Sequence, residues 1–175
     1  MHTLEEVRRE YDRLDRLCGV DTSGIRLEAS TRLRTRLGYC QYQGTRPVKI
    51  VIASFLLAMG DAEVLDTARH EYAHALVKLR RPRETHGHDA VWKAAAAEVG
   101  CTPRSTCQDA EINAFCKERR NAQSVKYIVR CLSCGRTWEY KRKGRVVSAL
   151  LSHPRTRRFL CPVCGGGRFS LESAP

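Results

Sequence analysis

Long apolar runs are missing from this chain: the longest, Ile50 to Met59, spans ten residues with Ser54 inside it, about half of the ~20 that a bilayer-crossing helix needs. The opening residues Met1-His2-Thr3-Leu4-Glu5-Glu6 are acidic where a secretory leader is basic, and they lack an apolar core and a small-residue cleavage site. These absences predict a cytoplasmic protein with no membrane partner, nucleoid-associated or, in a eukaryote, nuclear. Internal repeats and low-complexity tracts are also absent. An even complement of cysteines is lacking too. Nine of them in a chain without a secretory signal point to a reducing compartment and favour metal binding over disulfides. Acidic side chains are scarce in one stretch, since Lys117 to Arg158 holds thirteen basic residues against only Glu118 and Glu139.

What is present fits a folded protein of modest size. At 175 residues, with 42% hydrophobic and 29% charged side chains, the chain can bury an ordinary core as one domain plus a small appendage. The basic stretch carries eleven of the twelve net positive charges. A solvated surface needs no such asymmetry, whereas a surface that binds a polyanion does.

Thr3 and Glu6 form a capping box, after which Leu4, Val7, Tyr11, Leu14 and Leu17 recur at helical spacing to Cys18. Gly19 and the Asp21-Thr22-Ser23-Gly24 cluster end this helix, and Ile25 to Ala29, Leu37 to Tyr42 and Pro47 to Ile52 read as short strands, with Gln43-Gly44 as a turn. A second helix starts near Asp61, a suitable cap after Gly60, and stops at Pro82. Asp89 caps a third through Trp92, Ala95, Ala96 and Val99, closed by Gly100. Residues 108–122 can form a short helix, and Val125 to Arg130 reads as a strand leading into the first cysteine pair. The domain boundary is expected at 122/123, giving domains 1–122 and 123–175.

His70-Glu71-Tyr72-Ala73-His74 is an H-E-x-x-H pattern. At about 100° per residue the two histidines lie about 40° apart and one turn above each other, so both imidazoles can hold one zinc. Glu71 is poorly placed as a ligand but can act as general base on water at the metal. The apolar residues Val64, Leu65, Ala68, Tyr72, Ala75, Leu76 and Leu79 form a stripe about 120° wide, with the histidines opposite. This predicts a helix that packs with one face and offers histidines from the other. A third ligand must come from outside the helix. His88 stands fourteen residues after His74, where Trp92 one turn on can shield it, and His86 is the competing choice. Three protein ligands leave the open position that catalytic zinc uses.

The residues Thr67-Ala68-Arg69-His70-Glu71-Tyr72-Ala73-His74-Ala75, followed by His88-Asp89-Ala90-Val91-Trp92 and Gly100, resemble the SprT-like zinc metalloproteases. This family takes in bacterial SprT proteins and the Spartan protease domain. Its pattern is H-E-x-x-H, then H-G-x-x-F or W, then a glycine closing the next helix, often with a carboxy-terminal zinc ribbon. Asp89 stands where glycine is usual, and its capping role accounts for that. His86-Gly87 reproduces the dipeptide but puts Ala90 at the aromatic position. The resemblance implies an α+β, zincin-like domain with a small antiparallel sheet beside the H-E-x-x-H helix. It further implies metal ligands His70, His74 and His88, catalytic Glu71, and an extended substrate held along a sheet edge in the Pro47 to Ile52 region.

Cys131-Leu132-Ser133-Cys134-Gly135 and Cys161-Pro162-Val163-Cys164-Gly165 read as two zinc knuckles, each turn relaxed by its glycine. The 26 residues between them exceed the usual spacing of about 15–20, leaving room for a helix over Val146 to Leu151. Four thiolates close the coordination shell, so this zinc is structural. With the histidine site, two zinc ions are expected. Arg136, Lys141, Arg142, Lys143, Arg145, Arg155, Arg157 and Arg158 are the candidate nucleic-acid contacts, and Tyr127 and Phe159 read as core of the small domain. Cys18, Cys40, Cys101, Cys107 and Cys116 read mainly as buried apolar side chains.

The leading functional expectation is a zinc endopeptidase that its basic ribbon delivers to DNA, where it cleaves DNA-bound or crosslinked proteins as the resemblance implies. The alternatives are a nucleic-acid-binding protein with an idle zincin domain, and a zinc peptidase with some other substrate. Tyr39, Tyr42 and nearby arginines are candidates for stabilising the oxyanion.

Overall fold

Thr3 Oγ1 accepts from the Glu6 amide while the Glu6 carboxylate accepts from the Thr3 amide, so helix α1 (Leu4–Cys18) begins with both orphan donors satisfied. It ends at Gly19, whose φ of 65° is the left-handed cap that favours glycine. Its buried stripe is Val7, Tyr11, Leu14 and Cys18. The structure, a computed structural model, describes residues 2–59, 61–154 and 158–174. It divides into two compact units, Met1–Arg120 and Asn121–Pro175.

The first unit continues with strands β1 (Arg26–Ser30), β2 (Gly38–Gln43) and β3 (Arg46–Ala53), then helices α2 (Ser54–Met59), α3 (Asp61–Arg80), α4 (Ala90–Glu98) and α5 (Ala110–Asn121). The apolar run read from the sequence thus divides at Ser54 into the end of a strand and a short helix, which periodicity alone cannot separate. Gly60 and the capping side chain of Asp61 lie outside the described residues.

Two expectations about the sheet are corrected. The sheet is mixed rather than antiparallel: its order is β1-β3-β2, with β1 parallel and β2 antiparallel to β3. The tight hairpin folds β3 back against β2, and β1 joins on the far side, a direction that strand patterning does not encode. Consequently the Pro47 to Ile52 region is no edge. Backbone groups of β3 are engaged on both sides, and Ile50, Val51, Ile52 and Ala53 are all buried, as a central strand requires. The strand flanking α3 with a single partner among the described residues is β2.

Helix α3 is also more enclosed than its wheel predicts. Besides the expected stripe, Thr67, Glu71, Ala73 and Val77 are buried, because α1, α4, β2 and β3 all pack on this helix. Two hydroxyls tie it to α1: Tyr11 donates to the Ala68 carbonyl at 3.0 Å and Tyr72 to Asp15 Oδ1 at 2.7 Å. A polar side of α3 therefore becomes interior through its neighbours rather than through its own composition.

Close approach of β2 to α3 depends on Gly38. A Cβ there would stand 3.0 Å from Glu71 Cγ, 3.1 Å from its Oε1 and 3.0 Å from the Val51 carbonyl oxygen. Gly38→Ala is expected to cost about 1–3 kcal/mol through overpacking, read by urea unfolding. Gly24→Ala, with nothing within 4 Å of the new methyl, is the neutral control.

The second unit is a three-stranded antiparallel sheet, order β5-β4-β6, formed by β4 (Tyr127–Cys131), β5 (Thr137–Tyr140) and β6 (Phe169–Ser173), with helix α6 (Arg145–Ser152) in the long connection. Its buried apolar cluster holds only Val129, Val147 and Leu150, with Tyr127, Tyr140, Val146, Phe169 and Leu171 packed against it. Phe159, read as core, lies outside that cluster, and the Arg145 guanidinium stands 5.8 Å from its ring centre. A core this small needs another source of stability. Among the described residues, no helix is long and apolar enough to cross a membrane.

Candidate metal centres

Two side-chain clusters among the described residues have the donors and spacing to hold a metal: His70, His74 and His88 in the first unit, and Cys131, Cys134, Cys161 and Cys164 in the second.

In the first, α3 stacks His70 and His74 one turn apart, and the loop before α4 brings His88 over them. His88 Nε2 lies 3.0 Å from His70 Nε2 and 3.2 Å from His74 Nε2. Asp89 fixes this loop by accepting from the Val91 and Trp92 amides, each at 3.1 Å, so the capping residue holds its ligand-bearing neighbour in place. Trp92, fully buried, forms the floor, its ring 4.5 Å from His88, 4.6 Å from His70 and 5.2 Å from His74 between centres. His86 is outside the cluster. Its ring pairs with Asp89 Oδ2 and Glu84 Oε2, each at 2.8 Å, and the two carboxylates raise its basicity, Asp89 the more. Both ring nitrogens are thus engaged by carboxylates, which suits a loop clamp and not a ligand.

Burial pushes His70 down to about 4, helped by the His88 and Arg36 charges, and pushes His74 down to about 3, helped by the other two imidazoles and Arg36. These two rings are held neutral, the form that ligates a metal. Ligands around zinc at about 2.0–2.1 Å in a tetrahedron stand about 3.3–3.4 Å apart, close to the separations found here. The donor set fits zinc.

Glu71 follows His70 on α3 and packs against Gly38 of β2. It is only 6% exposed, and burial pushes its carboxyl up to about 7 against the pull of the Arg36 charge and the Cys40 backbone N–H. A buried carboxylate beside a neutral three-imidazole cluster has the proton affinity to exchange protons near neutral pH. Sequence reasoning missed Gly38 and the Cys40 amide, which surround it, and left Arg36 unnamed among the nearby arginines. A lone glycine inside a strand pattern is the one advance signal, since it marks close approach of a neighbour.

In the second unit the two knuckles are built alike. Gly135 N–H donates to the Cys131 carbonyl and Gly165 N–H to the Cys161 carbonyl, at 2.9 and 2.8 Å, with φ of 74° and 69°. Cys131 Sγ and Cys164 Sγ are 3.7 Å apart, as are Cys134 Sγ and Cys161 Sγ. Tetrahedral zinc with Zn–S of about 2.3 Å requires an edge of about 3.8 Å, so the four thiols also fit zinc. Although burial opposes it, backbone N–H groups of Cys134 and Ser133 bring the Cys131 thiol down to about 6, toward the thiolate that binds metal. The other cysteines do not join a cluster: Cys101 donates to backbone carbonyls, Cys107 donates to Glu63 Oε1 at 2.8 Å, and burial pushes both thiols up to about 12.

Of the candidate nucleic-acid residues, Arg136, Arg142, Lys143, Arg145 and Arg158 are exposed and Lys141 is half-buried. Lys141, Arg142, Lys143 and Arg145 run through the turn from β5 into α6, and Arg136 follows the first knuckle. Arg155 and Arg157 lie outside the described residues.

An α+β unit whose central helix presents two histidines to a third, with a buried glutamate between, defines a metallopeptidase-like domain. The family model for SprT-like proteins matches residues 3–114, more than half of the chain, and the chain belongs to the SprT-like family, which is associated with metallopeptidase activity. No curated protein matches it.

Proposed function

We propose that this protein is a zinc endopeptidase directed to DNA by its basic second unit, where it cleaves DNA-bound or DNA-crosslinked proteins. The observation that carries the peptidase reading is Glu71, a buried carboxylate held near neutral pH beside three imidazole nitrogens within 4.8 Å of one another. An idle domain has no use for a buried ionisable group that weakens its own core, which counts against the idle-domain reading. Zinc, when bound, polarises the scissile carbonyl and acidifies water. The protein's own residues do the rest: His70, His74 and His88 hold the ion, Glu71 takes a proton from the attacking water and returns it to the leaving amine, and Trp92 closes the floor. Strand β2 offers the edge along which an extended peptide can pair by main-chain bonds, which favours broad sequence tolerance. The DNA part rests on charge: residues 121–175 hold eleven basic side chains against only Glu139 and Glu172, nine of the twelve net positive charges. The deciding assay is proteolysis of a DNA-binding protein with and without DNA. Cleavage equal in both arms would favour a peptidase with a different substrate.

Two zinc ions per chain are expected by metal analysis. His74→Ala should release one and Cys131→Ser the other, with chelators removing the histidine-bound ion first because its shell is open. His88→Ala should release the same ion as His74→Ala, whereas His86→Ala should retain both. Since the second unit's buried apolar cluster among the described residues holds only Val129, Val147 and Leu150, Cys131→Ser should also unfold it, seen as loss of dispersed amide signals. A single ion lost only from the cysteine variant would remove the peptidase reading.

A further inference from the structure

Hydrolysis of a peptide bond generates negative charge on the carbonyl oxygen, and the sequence offers Tyr39, Tyr42 and nearby arginines to meet it; of those arginines, Arg36 is the one the structure sets against Tyr39 and Gly38. Tyr42 is engaged elsewhere: its hydroxyl reaches the His74 carbonyl at 3.4 Å. Tyr39 has its ring under the Arg36 guanidinium, 5.1 Å from Cζ to the ring centre. Arg36 is different. Its Nε donates to the Gly38 carbonyl at 2.7 Å, and Gly38 is the residue packed directly on Glu71. Among the described residues the guanidinium meets no carboxylate, and neither Nη group has an acceptor. One edge of the fork is therefore anchored to β2 and its plane is steadied on an aromatic ring, while the remaining donors face no protein partner. The side chain is exposed, so a substrate can reach it.

We propose that Arg36 is a catalytic residue that donates from Nη to the oxyanion of the tetrahedral intermediate, an inference that rests on the peptidase reading above. As the water oxygen bonds to the carbonyl carbon, the π pair moves onto the carbonyl oxygen and the water proton goes to Glu71. Arg36 holds the oxygen while it carries that charge. The pair then returns, the C–N bond breaks, and the Glu71 proton leaves on the amine. An anchored donor is effective here because it needs no reorganisation when the charge appears.

The test compares zinc-loaded full-length wild type with Arg36→Gln and Arg36→Lys. A fluorogenic peptide gives kcat and KM, and a phosphinic peptide, whose tetrahedral P–O⁻ stands in for the oxyanion, gives a binding constant without turnover. Arg36→Gln is expected to lower kcat by about 10²–10³-fold, the usual loss for one oxyanion donor, with KM little changed. Phosphinic peptide affinity should fall in step, and Arg36→Lys should recover part of both. Zinc affinity should hold or rise, since a cation next to a dication site has been removed. A kcat unchanged in Arg36→Gln overturns the proposal, as does a raised KM at unchanged kcat, which would assign Arg36 to ground-state binding. Lost zinc or a lowered melting temperature shared by both variants would make the residue structural. Wild type that holds zinc yet cleaves no peptide defeats the peptidase reading itself, and this inference with it.

Discussion

Glu71→Gln is expected to abolish proteolysis while leaving both metal sites and the fold intact. Glutamine keeps the shape of the side chain and an acceptor for the Cys40 amide, but it cannot take a proton from water. General-base catalysis is worth about 10²–10⁴-fold, and since among the described residues no carboxylate joins the histidine cluster to take over, the whole of that factor should be lost. The same substitution should not weaken the metal-free protein. Burial raises this carboxyl to about 7, well above its ordinary value of 4.5, so the folded state holds this proton more tightly than the unfolded state does. The stability that comes with it is fully present below about pH 4.5 and is lost as pH rises through about 7. Glutamine stays neutral throughout, so above pH 7 the metal-free variant should melt at or above the wild-type temperature. The measurements are peptide cleavage, zinc content and thermal unfolding on the same preparations. Residual cleavage within ten-fold of wild type would remove Glu71 from the chemistry, and a large drop in melting temperature would make it a structural group.

A second large effect is expected from salt. If the basic unit neutralises about 4–6 phosphates, the logarithm of DNA affinity should fall against the logarithm of salt with a slope of about −4 to −5 on duplex. Between 50 and 200 mM salt that is a loss of about 10²–10³-fold, so DNA-stimulated cleavage should disappear while cleavage of a short flexible peptide persists. Charge reversal at Lys141, Arg142 and Lys143 should reproduce the high-salt behaviour at low salt without changing zinc content, because none of the three is near a metal donor in the sequence of either knuckle. Removing residues 123–175 should have the same consequence. DNA affinity that ignores salt, or a truncated chain as active as the full one on DNA-bound protein, would favour a peptidase whose second unit contacts something else.

Much of this architecture is written locally, and the reason is that local signals are short-range. The capping box at Thr3 and Glu6, the left-handed glycines after each C-x-x-C pair and the Asp89 cap each involve residues within about a turn of one another, so their chemistry is legible in the string. The histidine pair belongs to the same class, since helical geometry alone stacks residues four apart. His88 is an intermediate case. Its spacing and the following tryptophan single it out, but the exclusion of His86 comes from two carboxylates that hold its ring.

The sequence by itself determined the donors: which residues can ligate metal, which carboxylate sits beside them, where the charge accumulates, and which segments become helices. The tertiary structure alone decided their surroundings. Strand order placed β3 in the centre and β2 beside the site, because pairing direction is a long-range choice that side-chain alternation does not specify. Packing of β2 and α4 on α3 buried a helix side that composition had marked as open, and that burial raised the Glu71 carboxyl and lowered two imidazoles. Gly38 and Arg36 acquired their importance in the same way. Neither carries a motif, and each matters through a neighbour more than thirty residues away in the chain, at a distance set only when the fold is complete.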